Sequence, residues 1–421
     1  MPIELSWLSN KLTQIHPSHV AGFVRTVYNA VRKRSQMNDY HKESRKSGRG
    51  GERSSVSMTL ALEDGTRIAG IGFGAPRVVH GEVVFNTGMT GYVETLTDPS
   101  YRGQILVCTY PLIGNYGVPA PRKTDSIDPP FESSSIQVQG LVVQGYVDEY
   151  SHYAARRSLG EWLRGESIPA VTGVDTRTLT RRLREHGTMP GWLFPDDVDF
   201  DEARRTAEAI DMEEDVFRLV APPEPVDYPG GRQRILLVDV GAKDNIARCL
   251  LSRGVSLRRV PWWTSLAEHA ADADGIVIGN GPGDPKDLGA LVEQVRGLLS
   301  SFRKPIFGIC LGNQILALAA GASTYKLPYG HRSVNQPVQD LLSRRSYITS
   351  QNHGYAVKEQ DLPGDWEPWF VNLNDGTNEG IRSRHHPYFS VQFHPEGCPG
   401  PKDTDFLFDE FLSLVGSMSL R

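Results

Sequence analysis

Pro305-Ile306-Phe307-Gly308-Ile309-Cys310-Leu311-Gly312-Asn313-Gln314 is the stretch on which the reading of this chain turns. The apolar run Ile306 to Ile309 reads as a buried strand. Ile315-Leu316-Ala317-Leu318-Ala319-Ala320 reads as a helix that stops at Gly321. Cys310 therefore stands at a strand-to-helix corner within Gly308-x-Cys310-x-Gly312, the cysteine form of a nucleophile elbow. The glycines permit a tight turn with close backbone packing. Such a corner presents the thiol at the carboxyl edge of a sheet, where open α/β proteins bind ligands. The free N–H groups and partial positive charge of the helix start favour a thiolate. An isolated cysteine is ordinarily a buried, inert thiol; the glycine spacing and the flanking elements single out Cys310 as a nucleophile.

Working outward, the segment from Arg234 alternates strand and helix. Strands are expected at Ile235–Asp239, Leu257–Val260, Gly275–Gly279 and Ile306–Ile309, and helices at Asn245–Arg253 and Leu288–Ser300. This alternation implies a parallel sheet with right-handed crossovers. Upstream, Thr59 to Gly70 reads as strand, Asp-Gly turn and strand. Glu82–Thr87, Gln104–Thr109 and Val138–Val143 read as further strands. Gly88 to Tyr101 reads as a loop-like, glycine-rich surface. Leu159–Leu163 and Thr176–His186 read as helices, the second with Asp175 as N-cap. Ala221-Pro222-Pro223-Glu224-Pro225 reads as a linker.

The fold class is thus α/β: a strand-rich mixed N-terminal domain, then an open, mostly parallel C-terminal α/β domain. The expected divisions are 1-57, 58-225 and 232-417. Residues 1-57 read as a basic, disordered extension with one or two short amphipathic helices. A dispensable extension or misassigned start, a transit peptide and a weak anionic docking arm all fit it.

The chain has 421 residues, a formal net charge of -5 and 39% hydrophobic content, which argues against a chain-wide nucleic-acid footprint. No apolar run reaches the ~20 residues that span a bilayer. The 4 cysteines form no CxxC pair, so a disulfide framework or zinc cage is not expected and a reducing, cytoplasmic setting is.

A cysteine nucleophile needs a base and a group that orients it. His394, in Ser390-Val391-Gln392-Phe393-His394-Pro395-Glu396, ends an apolar strand, and Glu396 can fix its tautomer. His353, in Ser350-Gln351-Asn352-His353-Gly354-Tyr355, reads as structural, holding a glycine-bounded loop. The backbone N–H of Leu311 is an oxyanion donor by elbow geometry. Asn280-Gly281-Pro282-Gly283-Asp284-Pro285 can bring a second bare N–H to a ligand. No HExxH or comparable metal spacing and no Walker A loop occurs, so no metal is expected and no ATP handling by this polypeptide.

Gly308 to Gln314, Asn280 to Pro285 and His394-Pro395-Glu396 resemble a class I (triad) glutamine amidotransferase. Phe85-Asn86-Thr87-Gly88-Met89-Thr90-Gly91-Tyr92, Leu96-Thr97-Asp98-Pro99-Ser100-Tyr101 and Thr109 to Asn115 resemble the N-terminal domain of the carbamoyl phosphate synthetase small subunit. Asp175 to Arg181 and Gln351 to Tyr355 do so too. The chain carries Asn313 where that family often has histidine, and Gly88 where it has serine or alanine. The resemblance implies that Cys310 attacks the side-chain amide of L-glutamine, that His394 moves protons and that Glu396 orients it. It implies oxyanion N–H groups from Gly281 and Leu311. Ser100, Gly283, Gln314, Asn352, Gly354 and Tyr355 are implied to hold glutamine. It further implies delivery of ammonia to a large subunit that uses ATP, Mg and bicarbonate to make carbamoyl phosphate for pyrimidine and arginine synthesis. No cofactor, nucleic acid or membrane is implied for this chain. A non-catalytic regulatory subunit and a stand-alone γ-glutamyl hydrolase are the alternative readings.

Overall fold

The computed structural model describes residues 56–121, 127–207 and 215–419. Every expectation for residues 1–55 lies outside the described residues. The described chain begins with a hairpin. Strands β1 (Ser57–Leu62) and β2 (Arg67–Gly72) pair antiparallel around a turn in which Gly65 has φ +86 and the Thr66 N–H donates to Asp64 Oδ1 at 2.9 Å. With β3 (Val79–Asn86), β4 (Gln104–Cys108), β5 (Gly140–Val142), β6 (Ala170–Thr172) and β7 (Met189–Pro195) they close a barrel in the order β1-β7-β3-β4-β5-β6-β2. Alternation sorts the side chains. Val83, Phe85, Ile105, Val107 and Leu193 gather on one face with Leu179 and Leu183 of the helix Thr176–His186. Val84, Leu106 and Leu141 point the other way, under Leu96, Leu159 and Trp162. Asp175 caps that helix, its carboxylate accepting from the Thr178 N–H at 3.0 Å.

Only residues 87–90 of the glycine-rich segment after β3 form a surface loop; the part that follows is packed. It folds into helix α1 (Tyr92–Leu96) and a 3₁₀ turn, Pro99–Tyr101, with Tyr92, Val93, Leu96, Ser100 and Tyr101 buried. Aromatic anchoring overrides the glycine signal. Tyr92 stacks on Tyr116 at 4.0 Å and donates its O–H to the Gly117 carbonyl at 2.7 Å, while the Tyr116 hydroxyl accepts from the Gly91 and Tyr92 N–H groups.

The second sheet is built from β8 (Val226–Tyr228), β9 (Arg234–Asp239), β10 (Ser256–Pro261), β11 (Gly275–Ile278), β12 (Ile306–Ile309), β13 (Ser323–Asp340), β14 (Ser346–Lys358), β15 (Trp366–Asn372), β16 (Asn378–Ser383) and β17 (Tyr388–Val391), in the order β8-β10-β9-β11-β12-β17-β16-β15-β13-β14. Strands β10, β9, β11, β12 and β17 run parallel, as the strand–helix alternation implies. The remainder is antiparallel: β13 to β17 follow one another with no α-helix between them, and such short connections allow only antiparallel neighbours. The His353 segment, expected as a loop, is the middle of β14. Helices α2 (Asp244–Leu251) and α3 (Leu311–Ala320) follow β9 and β12. The parallel strands are buried on both faces, Ile306 and Phe307 pointing into opposite cores. Each such side chain contributes about 2 kcal/mol.

The described residues form one compact unit. Barrel and sheet are joined by polar contacts. Buried Glu132 pairs with Arg248, accepts from the Asn245 N–H at 3.2 Å, and offers its backbone carbonyl to the Asp244 N–H at 3.0 Å. Arg248 also donates to the carbonyls of Ile127 at 2.8 Å and Phe131 at 3.0 Å. Burial pushes the Glu132 carboxyl up to about 7 even with the Lys243 and Arg248 cations beside it. Removing one cation leaves a buried acid without its partner, so Arg248→Ala is expected to cost about 3 kcal/mol of unfolding free energy. Urea melts of the variant and parent check this, and a loss under about 1 kcal/mol refutes it.

Candidate active site

The corner at Cys310 is set by backbone contact. A Cβ on Gly308 would lie 2.6 Å from the Gly312 carbonyl oxygen, and one on Gly312 would lie 2.1 Å from that of Ile278. No other residue fits either position. Cys310 itself takes φ 56, ψ -103, outside the usual range for a residue with a side chain. Its N–H is anchored to the Val391 carbonyl at 2.8 Å, so β17 and the strand before the cysteine share the strained residue. The side chain is 98% buried, against a 2% exposure, yet it lines a cleft rather than hydrocarbon alone. The sulfur lies 3.7 Å from the Asn352 carbonyl oxygen and 3.7 Å from the Gln392 amide nitrogen.

His394 follows β17 and is tied by its N–H to the Ser350 carbonyl at 2.9 Å. Its Nδ1 is 2.7 Å from Glu396 Oε1. Burial alone pulls the imidazole down, but Glu396 and the Cys310 sulfur outweigh it and raise it to about 10. The contact with Cys310 is loose: the sulfur acts on the imidazole, yet Nε2 forms no bond of hydrogen-bond geometry. Catalytic contacts of this kind tighten when substrate binds. Glu396 is itself fully buried. Burial would raise it, but Lys243 and His394 bring it down to about 2. Lys243 Nζ sits 3.0 Å from Glu396 Oε1, with 2% of the lysine side chain exposed, and Asn245 Nδ2 donates to the Glu396 carbonyl at 2.7 Å.

The cleft has a volume of about 260 Å³. Ser100, Gly281, Gly283, Leu311, Gln314, Asn352, Gly354 and Tyr355, named from sequence, all line it together with Cys310. His394 and Glu396 stand behind the thiol. Leu311 opens helix α3, where a backbone N–H has no acceptor within the helix. Gln314 Nε2 donates to the Tyr355 carbonyl at 2.8 Å and to Gln392 Oε1 at 3.1 Å. Ser100 reaches the cleft from the barrel and accepts from Asn280 Nδ2 at 2.9 Å. Asn352 Nδ2 donates to Asp98 Oδ2 at 2.9 Å, a second tie between the two halves. His353 also borders the cleft. Its burial and the neighbouring His331 hold it well below the ordinary histidine value, so it is neutral.

Sequence reasoning missed Lys243, Asn245, Asp98 and Gln392. Lys243 had a usable signal: it lies four residues beyond β9, at the carboxyl end of a parallel strand, where functional groups collect. Asp98 had none, because it stands in a segment read as surface.

With this geometry in hand, comparison with known proteins is specific. The family profile for the carbamoyl-phosphate synthase small chain, CPSase domain, matches residues 60–193, and that for class-I glutamine amidotransferase matches 236–414. The carbamoyl phosphate synthase small chain of Symbiobacterium thermophilum is 52% identical over 362 residues, covering 84% of this chain and 97% of that one. This chain belongs to the carbamoyl phosphate synthase small-chain family. The arginine-specific small chain of Neosartorya fischeri is 46% identical over 363 residues, 85% of this chain and 79% of that one. The multifunctional protein URA2 of Saccharomyces cerevisiae is 48% identical over 388 residues, 85% of this chain but 17% of its own length. The chain thus spans about a sixth of such multifunctional relatives. Among the described residues no helix is long and apolar enough to cross a membrane.

The folded value of His394 lies above its unfolded one. Its contribution to stability is therefore complete below about 6.5 and is lost as pH rises through about 10. Nitrogen-15 NMR of the imidazole is expected to show it protonated beyond pH 8. In Glu396→Gln the titration should move down by at least about two pH units; an unmoved titration rules out Glu396 as the group that holds the proton there.

Proposed function

We propose that this chain is the glutaminase subunit of a carbamoyl phosphate synthase, hydrolysing L-glutamine and handing the ammonia to a large synthetase chain. One observation carries the reading: a thiol on a strained elbow, an imidazole and a carboxylate in series behind it, and a cleft in front lined by donors and acceptors from both barrel and sheet.

With the proton on His394, the Cys310 sulfur attacks the side-chain amide carbon of glutamine. The developing oxyanion is met by the Leu311 and Gly281 N–H groups. His394 gives its proton to the departing nitrogen, which leaves as ammonia, and a glutamyl thioester remains on Cys310. Water, deprotonated by His394, then cleaves the thioester to glutamate and restores the thiolate–imidazolium pair. Glu396 and Lys243 keep the imidazole in place through both steps. Ser100, Gly283, Gln314, Asn352, Gly354 and Tyr355 hold the substrate. Seating glutamine against the barrel as well as the sheet supports a role coupled to a partner, which a stand-alone hydrolase does not need. The intact triad speaks against a purely regulatory subunit.

In this reading ATP, Mg and bicarbonate are used by the large chain, and the product feeds pyrimidine or arginine synthesis. The family name of the relatives supports the large-chain partner. A cytoplasmic site of action is part of the proposal, supported by Cys108, Cys249, Cys310 and Cys398 all being free thiols.

Cys310→Ser is expected to abolish glutamine-dependent carbamoyl phosphate synthesis, by more than about a thousandfold. Ammonia-dependent synthesis by the reconstituted complex should stay within about twofold. Parallel assays with the two nitrogen donors test this, and equal loss of both activities refutes the division of labour.

A further inference from the structure

Away from the triad, three strands bring a second set of polar side chains together. His331 comes from β13, Gln351 and His353 from β14, and Glu379 from β16; all four are more than nine-tenths buried. His331 Nδ1 and His353 Nε2 each lie 3.0 Å from Gln351 Oε1. His331 Nδ1 is also 3.4 Å from Glu379 Oε1. One ligand atom from each of His331, His353 and Glu379 lies within 4.8 Å of the others. The imidazole rings meet edge-on, with centroids 5.0 Å apart and planes 80° apart.

The outer contacts of this cluster orient its rings. His353 Nδ1 is 2.8 Å from the Tyr355 carbonyl, which can only accept, so that nitrogen carries the proton. In the neutral ring Nε2 is then a bare lone pair, and it faces the Gln351 carbonyl oxygen. His331 Nε2 is 2.8 Å from Asp375 Oδ2 and carries a proton likewise. Its Nδ1 faces the same Gln351 oxygen and Glu379 Oε1. Asn372 Nδ2 donates to Glu379 Oε1 at 2.9 Å and stands 3.5 Å from His331 Nδ1, at the limit of a hydrogen bond. Glu379 Oε2 is buried with no hydrogen-bond partner at all. Two ring nitrogens, an amide oxygen and a carboxylate converge on one point, with a buried carboxylate oxygen unmet beside them, an arrangement that a cation would satisfy.

We propose that His331 Nδ1, His353 Nε2, Gln351 Oε1 and the Glu379 carboxylate together bind one divalent metal ion of the zinc class. Two imidazoles and two oxygens suit such an ion. Bonds of about 2.0–2.1 Å in a tetrahedron set ligand atoms roughly 3.3 Å apart, close to the 3.0 and 3.4 Å observed. The outer contacts are those of ligating histidines: Asp375 behind His331 and the Tyr355 carbonyl behind His353 fix each ring with its free nitrogen inward. The charges also match, two carboxylates against a double positive charge. The ion would clamp β13, β14 and β16 behind Asn352, Gly354 and Tyr355. Its role is to stiffen the wall of the cleft, and it takes no part at the thiol. The sequence shows no ligand spacing because the ligands come from three strands.

The full chain carrying Cys310→Ser, which removes the thiol of the cleft, is stripped with a chelator and titrated with Co²⁺. One equivalent is expected, with the visible absorption of tetrahedral cobalt and no sulfur-to-cobalt band. Zn²⁺ should displace it and raise the melting temperature. Glu379→Gln is expected to weaken binding at least tenfold. If that variant does not fold, Asp375→Asn, at the half-exposed outer position, should weaken it about 10–100-fold. Substoichiometric binding by the stripped chain, or unchanged affinity in the variant that folds, overturns the proposal. A reversed Gln351 amide, its Nε2 donating to His331 Nδ1 and His353 Nε2, would then account for the same atoms without an ion.

Discussion

The arrangement depends on a row of buried charge: Lys243, Glu396, His394 and the sulfur of Cys310. A carboxylate with no exposed surface would ordinarily take up a proton. Lys243, itself buried, keeps Glu396 ionised, and Glu396 keeps His394 protonated and turned toward the thiol. Each group is tolerable only because the next is present. The row crosses from the loop after β9 to the loop after β17, so its existence requires those strand ends to be held in fixed relation. The parallel core between them does this, and the pairing of β12 with both β11 and β17 places the elbow at its centre.

The barrel is more than an attachment to that centre. Ser100 and Asp98 enter from it and meet Asn280 and Asn352 of the sheet. The segment that carries them is ordered by buried Tyr92 and Tyr101 and by half-buried Tyr116 packed against them. Glu132 and Arg248 lock the same boundary from the other side. The cleft is therefore a joint product of both halves, and motion at their boundary would be felt at the thiol.

Much of the site was legible in order of residues. Gly308 marks the elbow through a local constraint, since a larger residue would meet the Gly312 carbonyl, whereas Gly312 is held to glycine by the Ile278 carbonyl of the neighbouring strand β11. His394 and Glu396 are two residues apart, so their hydrogen bond is also local. The strand–helix alternation from Arg234 onward carries the parallel core because period and length distinguish buried strands from the helices between them. The glycines of the segment from Gly88 to Gly91 pointed the wrong way, since the aromatic contacts that order it come from residues more than twenty positions on.

The order of residues alone thus picked out the elbow cysteine, the adjacent pair His394 and Glu396 and the presence of a parallel sheet, each marked by neighbours in the chain. Only the tertiary structure decided that Lys243 sits against Glu396, that Asp98 holds Asn352 across the boundary, and that His331, His353 and Glu379 converge. Those contacts join groups from separate strands and from both halves of the protein. Burial, which gives them their energetic weight, is a property of the packed molecule and of no segment within it.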